Sequence, residues 1–135
     1  MYMKDTLVAI QLFDSAVIVE PLSVWTKFGQ AYKAALRDNM IELDLLTNKL
    51  EARDIVDGER RYRMVHFYAL SGKKRQALQH LTIAVEKGFF NYPYIISDPL
   101  TVKLRSDEEF RKIAESAKKR FEKFDRKHKE IRNKP

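Results

Sequence analysis

Trp25, Phe28, Gly29 and Tyr32 follow one another at intervals of three, one and three residues. Those intervals put all four on one face of a helix. Gly29 lowers helix propensity there by roughly 1 kcal/mol, and the physical reason to keep it is a partner helix that approaches closely over the missing side chain. Immediately upstream, Ala9, Phe13 and Ala16 share the face of another helix, and Pro21 ends it. One helix that runs straight into the next, with small residues where the two would touch, predicts antiparallel helix-turn-helix packing.

The rest of the chain reads in the same terms. Residues 4–20 predict a helix on which Leu7, Val8, Ile10, Leu12, Phe13, Val17, Ile18 and Val19 point nearly all round. A helix apolar on all sides needs cover on more than one side, which points to a neighbouring repeat or a second copy, the alternative being N-terminal residues that fold back or a helix partly exposed to solvent. Residues 22–37 predict the next helix, with Trp25, Phe28, Tyr32, Ala35 and Leu36 inward, and Asp38-Asn39 turns the chain. Met40 to Arg53 follows, with Leu43, Leu46 and Leu50 on one face, until Asp57-Gly58 breaks it. A second copy then carries Tyr62, Met64, Val65, Tyr68 and Ala69 on 57–71, turns at Ser71-Gly72, and repeats the small-large-small spacing as Ala77, Leu81 and Ala84 on 74–87. Setting Phe28 against Met64, Gly29 against Val65 and Tyr32 against Tyr68 gives a period of 36 residues. Gly88 caps that helix. Residues 88–105 form an irregular closing segment, aromatic and interrupted by Pro93 and Pro99, in which Asp98-Pro99 opens a short turn to Leu104. Ser106 with Glu109 reads as a capping box for a last helix over 106–131, striped by Phe110, Ile113, Ala114, Ala117, Phe121 and Phe124. The expectation is a single all-α domain over 1–135: half repeat 4–20, repeats 22–53 and 57–87, closing segment 88–105, and a capping helix 106–131 with a basic tail.

The net charge is +7. Residues 118–135 hold nine Lys or Arg against three acids, so the tail carries nearly all of it. Concentration of the charge in one terminal helix weakens the nucleic-acid reading that a high pI alone suggests. No Cys is present, which removes disulfides, thiolate metal sites and a Cys nucleophile. The longest mostly apolar stretch, Leu7 to Val19, is interrupted by Gln11, Asp14 and Ser15 and is too short to span a bilayer. Only Lys4 precedes it, followed at once by Asp5, which argues against a signal peptide and for a cytoplasmic protein.

The Trp25–Phe28–Gly29–Tyr32 spacing, with Ala9, Phe13, Ala16 and Pro21 before it, resembles the tetratricopeptide repeat family, whose signature is W-x2-L-G-x2-Y and then A-x3-F. Residues 5–87 carry the resemblance. Gly88-Phe89-Phe90, Asp98-Pro99-Leu100, Leu104-Arg105 and Phe110 look like the closing segment of many bacterial repeat proteins, often joined to regulatory modules. The resemblance implies a right-handed superhelix whose first helices line a groove for a peptide or helix of a partner. On that reading Lys27, Gln30, Lys33, Arg60, Arg63 and Phe67 line the groove and favour an acidic or mixed peptide. Thr26 and Gln30 stand where one subtype of the family clamps a terminal carboxylate with Lys and Asn, so that clamp is not expected.

Chemistry is sparse. Of His66, His80 and His128, only the first two lie on helices that pair, and neither has a carboxylate at helical spacing that would build a metal set. No phosphate-cradling glycine loop, G-x-S-x-G motif or paired carboxylate occurs. The expected function is therefore a non-enzymatic interaction scaffold with no cofactor and no metal, part of a larger regulatory protein or self-associating through Leu7, Ile10, Phe13 and Val17 as a homodimer over residues 4–20. The alternative is nucleic-acid or anionic-membrane binding through Lys118 to Lys134, where basic side chains surround Phe121 and Phe124.

Overall fold

A computed structural model describes residues 3–19, 23–51 and 57–134. The fold is all-α, with no strand among the described residues. In chain order the helices are α1 (Met3–Val19), α2 (Val24–Leu36), α3 (Met40–Glu51), α4 (Gly58–Leu70), α5 (Lys74–Glu86), α6 (Tyr92–Ser97), a 3-10 helix (Pro99–Leu104) and α7 (Glu108–Arg132). The expected ends at Pro21 and at residues 52–56 lie outside the described residues.

Local chemistry sets the boundaries. Ser23 accepts from the Trp25 amide to start α2, and Asp57 accepts from the Arg60 amide to start α4. Three helices end alike. Asn39 N–H donates to Ala34 C=O, Lys73 N–H to Tyr68 C=O and Phe89 N–H to Ala84 C=O, the six-to-one bond of a Schellman ending. The residue before each donor is left-handed: Asp38 (φ 56°), Gly72 (φ 75°) and Gly88 (φ 104°). Asp38 is the costly member, since only Gly adopts this conformation without a Cβ penalty.

These boundaries correct the repeat interval. Val24 and Gly58, which open α2 and α4, stand 34 residues apart, and so do Met40 and Lys74, which open α3 and α5. α2 and α4 are each 13 residues long, so nothing is inserted between the copies. Phe28 therefore corresponds to Tyr62, Gly29 to Arg63 and Tyr32 to His66. The 36-residue alignment matched like with like and slipped the second copy by two positions. At 34 residues the same three positions recur three times, small-large-small in the first and last and inverted in the middle one: Ala9, Phe13, Ala16; Leu43, Thr47, Leu50; Ala77, Leu81, Ala84. The last two triplets are wholly buried.

α1 lies on α2, α2 on α3 and α4, and α4 on α3, α5 and the 3-10 helix, while α7 seals α5 and α6. α4 is thus central, and Tyr62, Met64, Val65 and Phe67 are at most 1 % exposed. Phe67 packs its ring against Phe28 (5.9 Å) and Tyr32 (4.8 Å). Burying each such side chain stabilises by about 1.5–3 kcal/mol. Close approach is used at Gly58, where an added Cβ would stand 2.8 Å from the Ala84 carbonyl oxygen, and at Gly29, where it would meet Phe13 at 3.0 Å.

Three further expectations are corrected. Trp25 is half exposed rather than inward: its ring meets Phe28 edge-on at 5.7 Å and lies under the Arg60 guanidinium at 5.4 Å. Asp107, not Ser106, caps α7, accepting from the Glu109 amide at 2.8 Å. The core stripe of α7 ends at Ala117, leaving Phe124 exposed.

Candidate functional site

The six residues expected to line a groove do not make one surface. Phe67 is removed from it altogether, because its ring is in the core between α2 and α4. Lys33 reaches across to Asp14 on α1. Arg60 pairs with Asp57 (3.2 Å) and covers Trp25. Lys27 and Gln30 are half-buried on α2. Arg63 pairs with Glu59 (3.4 Å), and its charge opposes the upward shift of the Tyr32 hydroxyl.

Beneath Arg63 runs a buried hydrogen-bonded chain, from Tyr32 to Asp98, that sequence reasoning missed. The Tyr32 hydroxyl is 2.6 Å from His66 Nδ1. His66 Nε2 is 2.5 Å from Asp98 Oδ2, which also accepts from the Tyr62 hydroxyl at 2.8 Å. Asp98 Oδ1 accepts from the Leu100 amide at 3.0 Å. A carboxylate only accepts, so Nε2–H donates to Asp98, and in the neutral ring Nδ1 accepts from Tyr32. Burial pushes the Asp98 carboxyl up, but hydrogen bonds from His66, Leu100 N–H and Tyr62 outweigh it and hold the group below its ordinary value. Burial raises Tyr32 to about 12, with Arg63 pulling the other way, and burial with Asp98 raises Tyr62 far above its usual range.

This chain fastens three elements: α2 through Tyr32, α4 through Tyr62 and His66, and the 3-10 helix through Asp98. Arg105 adds a bond to the Asp98 carbonyl at 2.7 Å. The closing segment is therefore held across α4 by its Asp98-Pro99 start. His66 and Asp98 are closed to solvent at 0 % and 3 % exposure, so no substrate reaches them, although a Tyr–His–Asp alignment could move a proton. His80, the other histidine on the paired helices, has different partners: it pairs with Glu51 (2.8 Å) and stacks on Tyr68 (5.1 Å). Burial lowers His80 below its ordinary value against the opposite pull of Glu51.

Beside the chain is an open cleft of ≈ 230 Å³ between α4 and α6, lined by Glu59, Tyr62, Arg63, Phe89, Asn91 and Tyr94. Phe89 stacks on Tyr62 at 4.4 Å, and Tyr94 stands edge-on to Tyr62 at 5.7 Å and to Phe89 at 6.1 Å. Asn91 caps α6 by accepting from the Tyr94 amide. The cleft offers an aromatic wall with one cation and one carboxylate at its rim, which suits an extended peptide better than a small apolar ligand.

On α1, self-association had been expected through Leu7, Ile10, Phe13 and Val17. Phe13 is corrected: it lies over Gly29 and stacks with Tyr32 (6.2 Å), so it is an intramolecular contact. Ile10 and Val17 are half-buried as well. The exposed apolar face is instead Leu7, Val8, Leu12, Ile18 and Val19, at 48–83 % exposure.

Among the described residues, no three His, Cys, Asp or Glu side chains are grouped to hold a metal ion, and no helix is long and apolar enough to cross a membrane. Compared with models of protein families, with curated proteins and with solved structures, the chain matches none of them at a significant level.

Proposed function

We propose that the chain is a non-enzymatic, cytoplasmic protein-interaction module of tetratricopeptide type, stacked as a repeat superhelix, that seats a peptide or helix of a partner and serves in a larger regulatory protein or as a self-associating adaptor. The observation that carries the reading is the recurrence of α2–α3 as α4–α5 at 34 residues, which is the interval of that repeat. Stacked pairs of this kind bury their inner faces on one another and leave a continuous outer surface for a ligand. The α4–α6 cleft supplies the docking point: Arg63 meets a partner carboxylate, and the exposed Tyr94 ring meets an apolar side chain. The enclosure of His66 and Asp98 supports a structural rather than catalytic use of the only extended polar chain described.

The test is capture from nuclease-treated source lysate with the full chain as bait. A discrete protein is expected with the native chain and with Lys123→Glu/Lys127→Glu, and it is expected to be lost with Arg63→Glu/Tyr94→Ala at unchanged helix content. Equal capture by all three baits, or loss with the α7 change alone, overturns the proposal.

A further inference from the structure

The outer half of α7 carries a phenylalanine out of the core. Phe124 continues the stripe of Phe110, Ile113, Ala114 and Ala117, yet it is 49 % exposed. One edge of its ring meets Phe90, with centroids 5.9 Å apart at 66°. Along the helix it contacts His128 at 4.6 Å. Arg120, one turn earlier, lies over Phe90 at 6.0 Å and donates to the Val85 carbonyl at the end of α5 (2.5 Å). That bond ties the base of the outer half of α7 to the Schellman ending at Gly88.

These rings floor an open concavity of ≈ 560 Å³ between the end of α5 and α7. Lys87 from one side and Lys123 and Lys127 from the other stand around it, with Glu86 as the acid among its lining residues. The acid nearest in sequence on α7, Asp125, is turned to Lys129 at 3.0 Å. Arg120, Lys123 and Lys127 recur at three and four residues and so form a cationic flank beside the aromatic floor.

A ligand complementary to this surface needs a flat π-face and several negative charges. An acidic peptide supplies the charges but a flat face only at an occasional aromatic side chain, whereas the bases of a strand repeat at every unit. A duplex keeps its base faces inside the stack. A membrane surface favours a projecting apolar ridge, whereas this ring sits in a concavity against Phe90. Single-stranded nucleic acid offers both features, with unstacked bases and a phosphate backbone. We propose that this shelf binds single-stranded nucleic acid, with a base stacked on Phe124 and backbone phosphates held by Lys123, Lys127 and Lys87. The shelf shares no lining residue with the α4–α6 cleft, so the two sites stand or fall separately.

The test uses the full chain and fluorescently labelled oligo-uridine and oligo-thymidine of about 12 nucleotides, read by anisotropy. Three phosphate contacts predict an affinity that falls about 20-fold between roughly 50 and 200 mM salt. Phe124→Ala is expected to weaken binding about tenfold by loss of stacking. Lys123→Glu/Lys127→Glu is expected to weaken it more. Lys118→Glu/Lys129→Glu makes the same charge change on the opposite face of α7, where helical spacing places both residues, and is expected to stay within about threefold of the native chain. Helix content and melting are compared for every variant. Absence of oligonucleotide binding overturns the proposal, as does an unaltered Phe124→Ala, or equal loss in both charge-reversed pairs. Binding to phosphatidylserine vesicles without binding to oligonucleotides also overturns it and makes the surface a membrane face.

Discussion

Asp98→Ala removes the acceptor on which α4 and the closing segment converge. Three donors lose their partner at once: His66 Nε2–H at 2.5 Å, the Tyr62 hydroxyl at 2.8 Å and the Leu100 amide at 3.0 Å. His66 and Tyr62 are at most 1 % exposed, so water does not replace the carboxylate without opening the packing. Leaving hydrogen-bonded partners unmatched in such a site costs about 3–5 kcal/mol. Over 135 residues, 1 kcal/mol corresponds to about 3–4 °C, so Tm is expected to fall by about 10–18 °C. Asp98→Asn keeps one acceptor oxygen and turns the other position into a donor, and it is expected to cost about 1–3 kcal/mol. The carboxyl also sets a pH dependence. A group held below its unfolded value adds stability above that value and loses it as pH falls through the folded one. The native chain should therefore lose urea resistance below about pH 4, while Asp98→Asn flattens that slope. Urea unfolding followed by circular dichroism across pH measures both effects. A loss under about 1 kcal/mol for Asp98→Ala, or an acid slope unchanged in Asp98→Asn, refutes the clamp.

Gly58→Ala should destabilise by about 1–3 kcal/mol in spite of alanine's better helix propensity, because its Cβ meets the Ala84 carbonyl at 2.8 Å and the Phe89 amide nitrogen at 3.0 Å, both of them backbone atoms; chemical denaturation checks it. His80 should titrate below its usual value of about 6.5, and Glu51→Gln should lower it further by removing the charge that opposes burial. Because its folded value is depressed, stability should fall as pH drops through the unfolded value, and NMR titration reads the midpoint. Trp25 is the only tryptophan and is half exposed, so its emission should be quenched readily by acrylamide, and more so after Arg60→Ala uncovers the ring.

What the sequence revealed follows the range of the forces involved. Helix ends were readable at Asp38-Asn39, Ser71-Gly72 and Gly88 because a Schellman ending involves only neighbouring residues. The choice of Ser106 over Asp107 failed for a related reason: either side chain fits a cap, and Asp107 is the one that also meets Lys74 on α5 (2.6 Å). The pairing of His66 with Asp98 spans 32 residues and joins a helix to an irregular segment, so no helical spacing could signal it. Its one trace was the 34-residue register, which sets His66 where the first copy has Tyr32 and so marks a polar ring on an apolar face. Periodicity extended the α7 stripe to Phe124 because it records which side faces inward, not where the neighbouring helices stop. The groove list failed in a similar way. Spacing placed Phe67 on a face of α4 but could not show that α2 covers that face.

The most direct measurement is site-specific photocrosslinking in source cells, with a benzophenone-bearing phenylalanine at Tyr94 in the cleft and, separately, at Ser116 on the exposed side of α7. The account predicts a discrete protein adduct from position 94 that disappears when Arg63→Glu is added, and no such adduct from position 116. The same adducts from both positions, or an adduct at 94 indifferent to Arg63→Glu, would contradict a partner seated in the α4–α6 cleft.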